Sequence, residues 1–174
     1  MKLHYQKLGL QDIPLLQQVG RATYEPYYPH IWLPGGLDWY MEKCFGAAIL
    51  SQELADPNYE YLLPRDENGE IVGILKLILE KPLPDGQITK ALYLEKIYLM
   101  PNFYRKGLGQ QLMEFVFAKA IALGREAVWL VCMEHGPVKA YEQAGFSIVD
   151  TVHWDFPLLR DEQRTGLVML KTRK

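Results

Sequence analysis

Apolar and polar positions follow two rhythms along this chain. Leu3, Tyr5 and Leu8 stand among polar neighbours, which predicts a short first strand over residues 2–8. From Ile13 the rhythm turns helical. Leu15, Leu16, Val19 and Ala22 recur on one stripe, Pro14 occupies a first turn that tolerates it, and Asp12 stands where a cap belongs. Residues 25–36 hold Pro26, Pro29 and Pro34 with Gly35 and Gly36, so they read as loop. Two short helices are expected near 37–44 and 46–55, the second ended by Pro57.

From residue 59 the rhythm becomes that of strands. Tyr59, Tyr61 and Leu63 alternate with other residues, Asn68-Gly69 is a hairpin signal, and the next strand is expected over 70–80. A turn at 82–86 (PLPDG) leads to a strand at 90–100, a glycine-rich turn and a helix at 107–124. Residues 127–133 (AVWLVCM) are nearly all apolar, as a strand covered on both faces must be. A short helix from Pro137 to about Ala144 carries Gly145 at its C-terminal end, and strands at 146–156 and 165–172 close the chain. The order is β, helices, βββ, α, β, α, ββ. It predicts a mixed sheet in an α/β arrangement, read as one domain over residues 1–174.

Composition narrows the function without naming it. The 174 residues are 49% hydrophobic and 23% charged, with 19 Lys+Arg against 21 Asp+Glu and a net charge of -2. That fits a packed domain and offers no global attraction to nucleic acid or to an anionic membrane. Neither a transmembrane run nor a signal-peptide pattern stands out, so a cytoplasmic protein is expected. The two cysteines, Cys44 and Cys132, cannot form a disulfide framework, and the histidines lack metal-ligand spacing, so no metal is expected.

The segment Tyr104-Arg105-Lys106-Gly107-Leu108-Gly109 lies between a predicted strand and a predicted helix. Glycines there let backbone approach a ligand, and the first free N–H groups of a helix point at it with the positive dipole end behind them. A pyrophosphate suits such a site. A tight turn with no ligand suits the same residues, and spacing alone does not choose. The turn is neither a Walker loop nor a Rossmann fingerprint.

The block LEKIYLMPNFYRKGLGQQLMEFV resembles the cofactor motif of the GNAT superfamily of acetyl-CoA-dependent N-acetyltransferases, a strand followed by P-x-x-[QR]-x-x-G-x-[GA] and a helix. KAYEQAGF (139–146) resembles that family's Y-x-x-x-G-F segment. The stretches ELADPNYEYLLPRDENGEIVGILKL, YLEKIYL and DEQRTGLVMLK are similar to bacterial spermidine/spermine-type acetyltransferases. Two positions depart from the pattern. Tyr104 stands where Gln or Arg is usual, and Glu134-His135-Gly136-Pro137 stands where an Asn that contacts the cofactor is common.

The resemblance implies a GNAT fold, a mostly antiparallel mixed sheet of about seven strands with helices on both faces. It implies attack of a neutral amine on the thioester carbon of acetyl-CoA. It places the pantetheine arm along the backbone of Ile97, Tyr98 and Leu99, and the pyrophosphate on the amides of Arg105, Lys106, Gly107, Leu108, Gly109 and Gln110. It makes Tyr141 the general acid, since a phenol is protonated at neutral pH and can give its proton to a thiolate. Glu95, two residues before Ile97 and so expected on the same face, is the candidate base. A carboxylate paired with Lys96 or Lys76 is the competing reading, and His30 and His135 are weaker base candidates.

The amine pocket is expected between the N-terminal helices and the last hairpin. The loop there holds Tyr24, Tyr27, Tyr28, His30 and Trp32, with Glu25 nearby. Tyr28 and Trp32 are the candidate substrate contacts, against the alternative that these rings anchor the loop. The leading reading is acetylation of a small-molecule primary amine, polyamines included. Acetylation of a protein or peptide amine and a non-catalytic acyl-CoA-binding module are the alternatives. A homodimer is the expected oligomer, if any forms.

Overall fold

The computed structural model describes residues 1–173. Seven strands form one mixed sheet, in the order β1-β2-β3-β4-β5-β7-β6. They are β1 (His4–Lys7), β2 (Tyr59–Arg65), β3 (Gly73–Ile78), β4 (Ala91–Leu99), β5 (Ala127–Met133), β6 (Ser147–His153) and β7 (Thr165–Thr172). Every neighbouring pair is antiparallel except β4 with β5. That parallel step is spanned by helix α4 (Leu108–Ala122), as a crossover connection requires. Helices α1 (Ile13–Tyr24), α2 (Gly36–Phe45) and α3 (Ala47–Ala55) cover the opposite face, and α5 (Val138–Gln143) follows β5.

The core is split by the sheet into two main layers. On one face Leu112, Met113, Val116 and Ala120 of α4 pack on Leu75, Leu77, Leu92, Leu94, Val128 and Leu130. On the other, Leu16 and Val19 of α1, Met41 and Phe45 of α2 and Leu50 of α3 pack on Tyr61, Leu63 and Ile74. Each fully buried Leu or Ile contributes about 1.5–3 kcal/mol, so the two layers supply most of the favourable term.

Several expectations shift. β3 is shorter than 70–80, because Asp66 draws the hairpin into a tight turn: its Oδ1 accepts from the N–H groups of Asn68 and Glu70, both at 2.9 Å. β2 is buried on both faces rather than alternating, and its Glu60 is held by Lys119 at 3.0 Å. Asp12 precedes α1, but its carboxylate accepts from the N–H of Gly9 (2.8 Å) rather than from the helix. Residues 25–36 include a short 3-10 turn at Pro29–Ile31.

The most consequential difference is in β4. Lys76 pairs with Lys96 and Leu77 pairs with Leu94, so Glu95 is an extra residue in a β-bulge. The bulge reverses the alternation. Leu92 and Leu94 face α4 before it, and Ile97 and Leu99 face α4 after it. Glu95 instead meets Lys76, whose contacts lie on the α1–α3 face. The expectation that Glu95 and Ile97 share a face is therefore wrong, because period-two counting fails across a bulge.

Candidate active site

β4 and β5 pair only from Ala91↔Ala127 to Tyr93↔Trp129. Beyond that they separate. β4 stays with β3 as far as Leu99↔Gly73, and β5 stays with β7 as far as Met133↔Gly166. The bulge at Glu95 is the local cause, since an extra residue bends its strand and increases the twist. The backbone of Ile97, Tyr98 and Leu99 is thereby left with one edge facing a wedge-shaped opening, with no ladder partner on that side among the described residues. Such an edge can hydrogen-bond an extended, amide-bearing arm.

The glycine-rich turn sits beyond the end of this strand. Gly107 adopts φ +74 as the residue before α4, a conformation that disfavours any side chain, and Arg105 has φ +59. Among the described residues the N–H groups of Arg105, Lys106, Gly107, Leu108, Gly109 and Gln110 donate to no protein group; the first bonded amide is that of Gln111, to the Gly107 carbonyl at 3.4 Å. Gly109 is helical, and a Cβ there would meet nothing within 4 Å. Neither backbone angle nor protein packing demands glycine at 109; close approach of a ligand would. These residues fit a pyrophosphate and, with the β4 edge, fit coenzyme A. The Gln110 side chain donates to the Ala140 carbonyl at 2.9 Å, which ties α5 to the turn. Tyr104 stacks on Tyr27 (centroids 4.1 Å apart), so the departure from Gln or Arg is absorbed into an aromatic contact.

The wedge opens into a cavity of about 340 Å³. Its walls come from both sides of the sheet opening and from α1, α2, α5 and the segment between β6 and β7. Tyr141 lines it, edge-on to Phe146 at 6.2 Å. Burial, with Cys132 and Tyr28 beside it, raises the Tyr141 phenol above its ordinary value, so it holds its proton at neutral pH. Burial likewise pushes the Cys132 thiol up to about 11, which keeps it a neutral thiol rather than a nucleophile.

Tyr28 and Trp32 both line the cavity. Tyr28 stacks on Tyr24 at 4.6 Å. Trp32 is 4% exposed and its indole N–H donates to Tyr24 Oη at 3.0 Å, so its edge is committed to the core and only a ring face is offered. Glu25 is exposed and paired with Arg21 at 3.4 Å, outside the cavity. His30 and His135 are exposed.

The cavity also holds buried charge. Lys76 Nζ lies 2.5 Å from Glu53 Oε2 and in direct contact with Glu95 Oε2. Tyr61 Oη donates to Glu53 at 3.0 Å. Burial alone would raise the Glu95 carboxyl, but Lys96 and Lys76 outweigh it and leave the group below its ordinary range. Lys96 is 5% exposed. Burial opposes its charge, yet Tyr98, Cys44 and Glu95 around it favour the ammonium, which stays protonated. The sequence offers Lys96 only as a partner for Glu95, and it does not single out Tyr40, Lys43, Glu53, Trp154 or Phe156. No spacing signal marks them, because the six come from four separate segments, α2, α3, β4 and the stretch between β6 and β7; only the aromatic density of the chain hinted at such a chamber.

Among the described residues no group of three or more His, Cys, Asp or Glu could hold a metal, and no helix is long and apolar enough to cross a membrane.

The profile described as "Acetyltransferase (GNAT) family" matches residues 21–146. An uncharacterized N-acetyltransferase of Lactobacillus delbrueckii subsp. lactis is 30% identical over 126 residues, 72% of each chain. An uncharacterized N-acetyltransferase of Mycobacterium tuberculosis is 26% identical over 144 residues, 82% of this chain and 87% of the relative. Among solved structures, the PaiA N-acetyltransferase from Thermoplasma acidophilum in complex with coenzyme A superposes with a TM-score of 0.75 at 18% identity, covering 99% of this chain and 100% of that one. A mutant of the spermidine N-acetyltransferase SpeG from Vibrio cholerae superposes with a TM-score of 0.70 at 14% identity, covering 98% and 93%.

Proposed function

The chain belongs to the GNAT acetyltransferase family, and from that premise we propose that it moves the acetyl group of acetyl-CoA to the primary amine of a small molecule, with Tyr141 as general acid. One observation carries the small-molecule reading: the opening between β4 and β5 leads into a cavity of about 340 Å³ flanked by α1, α2 and the segment before β7. That volume lies near the lower end of small-molecule sites and leaves little room for a folded protein's backbone.

Acetyl-CoA would supply an acetyl thioester. The β4 edge at Ile97, Tyr98 and Leu99 and the free amides of residues 105–110 would hold its arm and its pyrophosphate, with Arg105 and Lys106 adding positive charge. Tyr141, held by α5 against the turn through Gln110, stays protonated and donates to the departing sulfur. Glu95 is ionised at neutral pH and lies on the cavity wall. Its depressed proton affinity makes it a weak base that passes a proton on to water rather than keeping it. A polyamine is one acceptor that the SpeG likeness brings into view.

The test is CoA release from acetyl-CoA across a panel of amines, by the purified protein and by Tyr141→Phe. Acetylation of at least one small amine is expected, with kcat about 10²–10⁴-fold lower in the variant and CoA affinity retained. CoA binding with no amine or peptide ever acetylated would sink the enzymatic reading. Transfer to peptide N-termini alone would establish the protein-directed one.

A further inference from the structure

The cavity walls carry three ammonium groups, Lys43, Lys76 and Lys96, against two carboxylates, Glu53 and Glu95. Both carboxylates are already in contact with Lys76. A linear polyamine carries several ammonium groups at neutral pH and needs uncommitted carboxylates to replace their hydration. Among the described residues this cavity offers none.

What it does offer is an unfinished cation. A lysine ammonium has three N–H donors. Lys96 Nζ spends one on Cys44 Sγ, a weak acceptor at 3.5 Å, and the nearest carboxylate oxygen is Glu95 Oε2 at 3.9 Å, which Lys76 already holds. Lys96 is nevertheless 5% exposed and lines the cavity. Its remaining surroundings are rings, with the Tyr40 and Phe45 centroids 5.5 and 5.9 Å from Nζ. A buried ammonium with spare donors, aimed into a cavity, is matched by an anionic oxygen.

The rest of that end is aromatic. Trp32, Tyr40, Trp154 and Phe156 line it, with Trp32 and Tyr40 at 5.0 Å, Tyr40 and Phe156 at 5.9 Å, and Trp154 stacked on Phe156 at 6.3 Å. Lys43 lies 5.5 Å from the Phe156 ring at the exposed rim, a second positive group on the same side. These separations are those of rings packed on one another, so the cluster offers a flat apolar body its cavity-facing side rather than a slot between rings.

We infer that the acceptor is a monoamine with a flat aromatic body and a carboxylate, of the class of aromatic amino acids, and that Lys96 reads the carboxylate. The inference rests on the acetyl-transfer reading above and narrows its substrate. In this arrangement the ring lies against the cavity-facing side of Trp32, Tyr40 and Phe156, the carboxylate takes the spare donors of Lys96, and the amine points toward the opening where Tyr141 stands. Glu53 and Glu95, tied to Lys76, do not repel the carboxylate as free acids would.

The experiment compares tryptophan and phenylalanine with their decarboxylated counterparts, tryptamine and phenethylamine, and with spermidine. CoA release and calorimetric binding in the presence of CoA are both measured. The amino acids are expected to exceed the decarboxylated amines by roughly tenfold or more in kcat/KM, the worth of a charge-assisted hydrogen bond, and to exceed spermidine further. In Lys96→Met the ratio of acid to decarboxylated amine is expected to fall toward one. A wild-type preference for spermidine, or no advantage of the acid over its decarboxylated form, overturns the inference while leaving acetyl transfer intact. Tight binding of the acid with no turnover of any amine supports the ligand class and defeats the transfer reading. The wild-type panel decides even if Lys96→Met does not fold.

Discussion

The two ends of the cavity are built from different material. The end proposed for the cofactor is made of backbone: one edge of β4 and the N–H groups from Arg105 to Gln110. The end proposed for the acceptor is made of side chains from α1, α2, α3, β3, β4 and the segment before β7. A backbone site depends on where the chain runs, so it tolerates side-chain change. At Tyr104 a ring stacked on Tyr27 stands in a motif position, and the amides after it are still free of protein partners among the described residues. A side-chain site depends on every contributor, because buried groups of one network lose their partners together.

That contrast can be broken or sharpened by substitution. The largest effect is expected at Lys76, which is the partner of two carboxylates. Lys76→Met should leave Glu53 and Glu95 buried without their cation and cost about 3–5 kcal/mol in denaturant unfolding. A loss below about 1 kcal/mol would mean that the acceptor end is as tolerant as the cofactor end.

Gly109→Val tests the other end. A Cβ there meets nothing within 4 Å, so folding stability should change by about 0.5 kcal/mol or less. CoA affinity measured by calorimetry should nevertheless fall by roughly tenfold or more, because the added methyls occupy the approach to the free amides. Unchanged affinity would separate the turn from phosphate binding.

The pH profile distinguishes the roles of the charged wall. The folded-state affinity of Glu95 for protons is lowered, so its stabilising ion pairs are complete above the unfolded carboxylate range and are lost as pH falls through its own lower value. Glu95→Gln should flatten the acid side of the stability curve followed by thermal melts. It should also lower kcat by roughly tenfold if the carboxylate relays protons, and leave kcat within about twofold if it only holds Lys76 and Lys96. The smallest effect is expected at Tyr104. Tyr104→Gln should change CoA affinity by less than about threefold, since the amides carry the site.

The same division explains what could be read in advance. The element order, the crossover helix and the glycine-rich turn were legible because each is a local pattern of hydrophobic period or of punctuating residues. Strand 127–133 and α3 were placed almost to the residue for that reason. The bulge at Glu95 was not legible. Nothing in KALYLEKIYLM marks which residue drops out of register, and the choice depends on β3 pairing on one side and β5 leaving on the other. One unpaired residue then sent Lys96 and Tyr98 to the face opposite Leu94 and turned a supposed neighbour of Ile97 toward Lys76.

The sequence by itself carried the family, through motifs it shares with that family, and the sheet with its helices and the position of a glycine-rich turn, because the elements rest on short-range periodicity and the turn on glycine's backbone freedom. Only the tertiary structure decided the aromatic, charged cavity: that Lys76 ties up both carboxylates, that Lys96 is left with donors to spare, and that Trp32 meets Tyr40 and Phe156. Those facts join separate segments, as far apart in the chain as Trp32 and Phe156, and no local pattern records which distant side chains share a buried space.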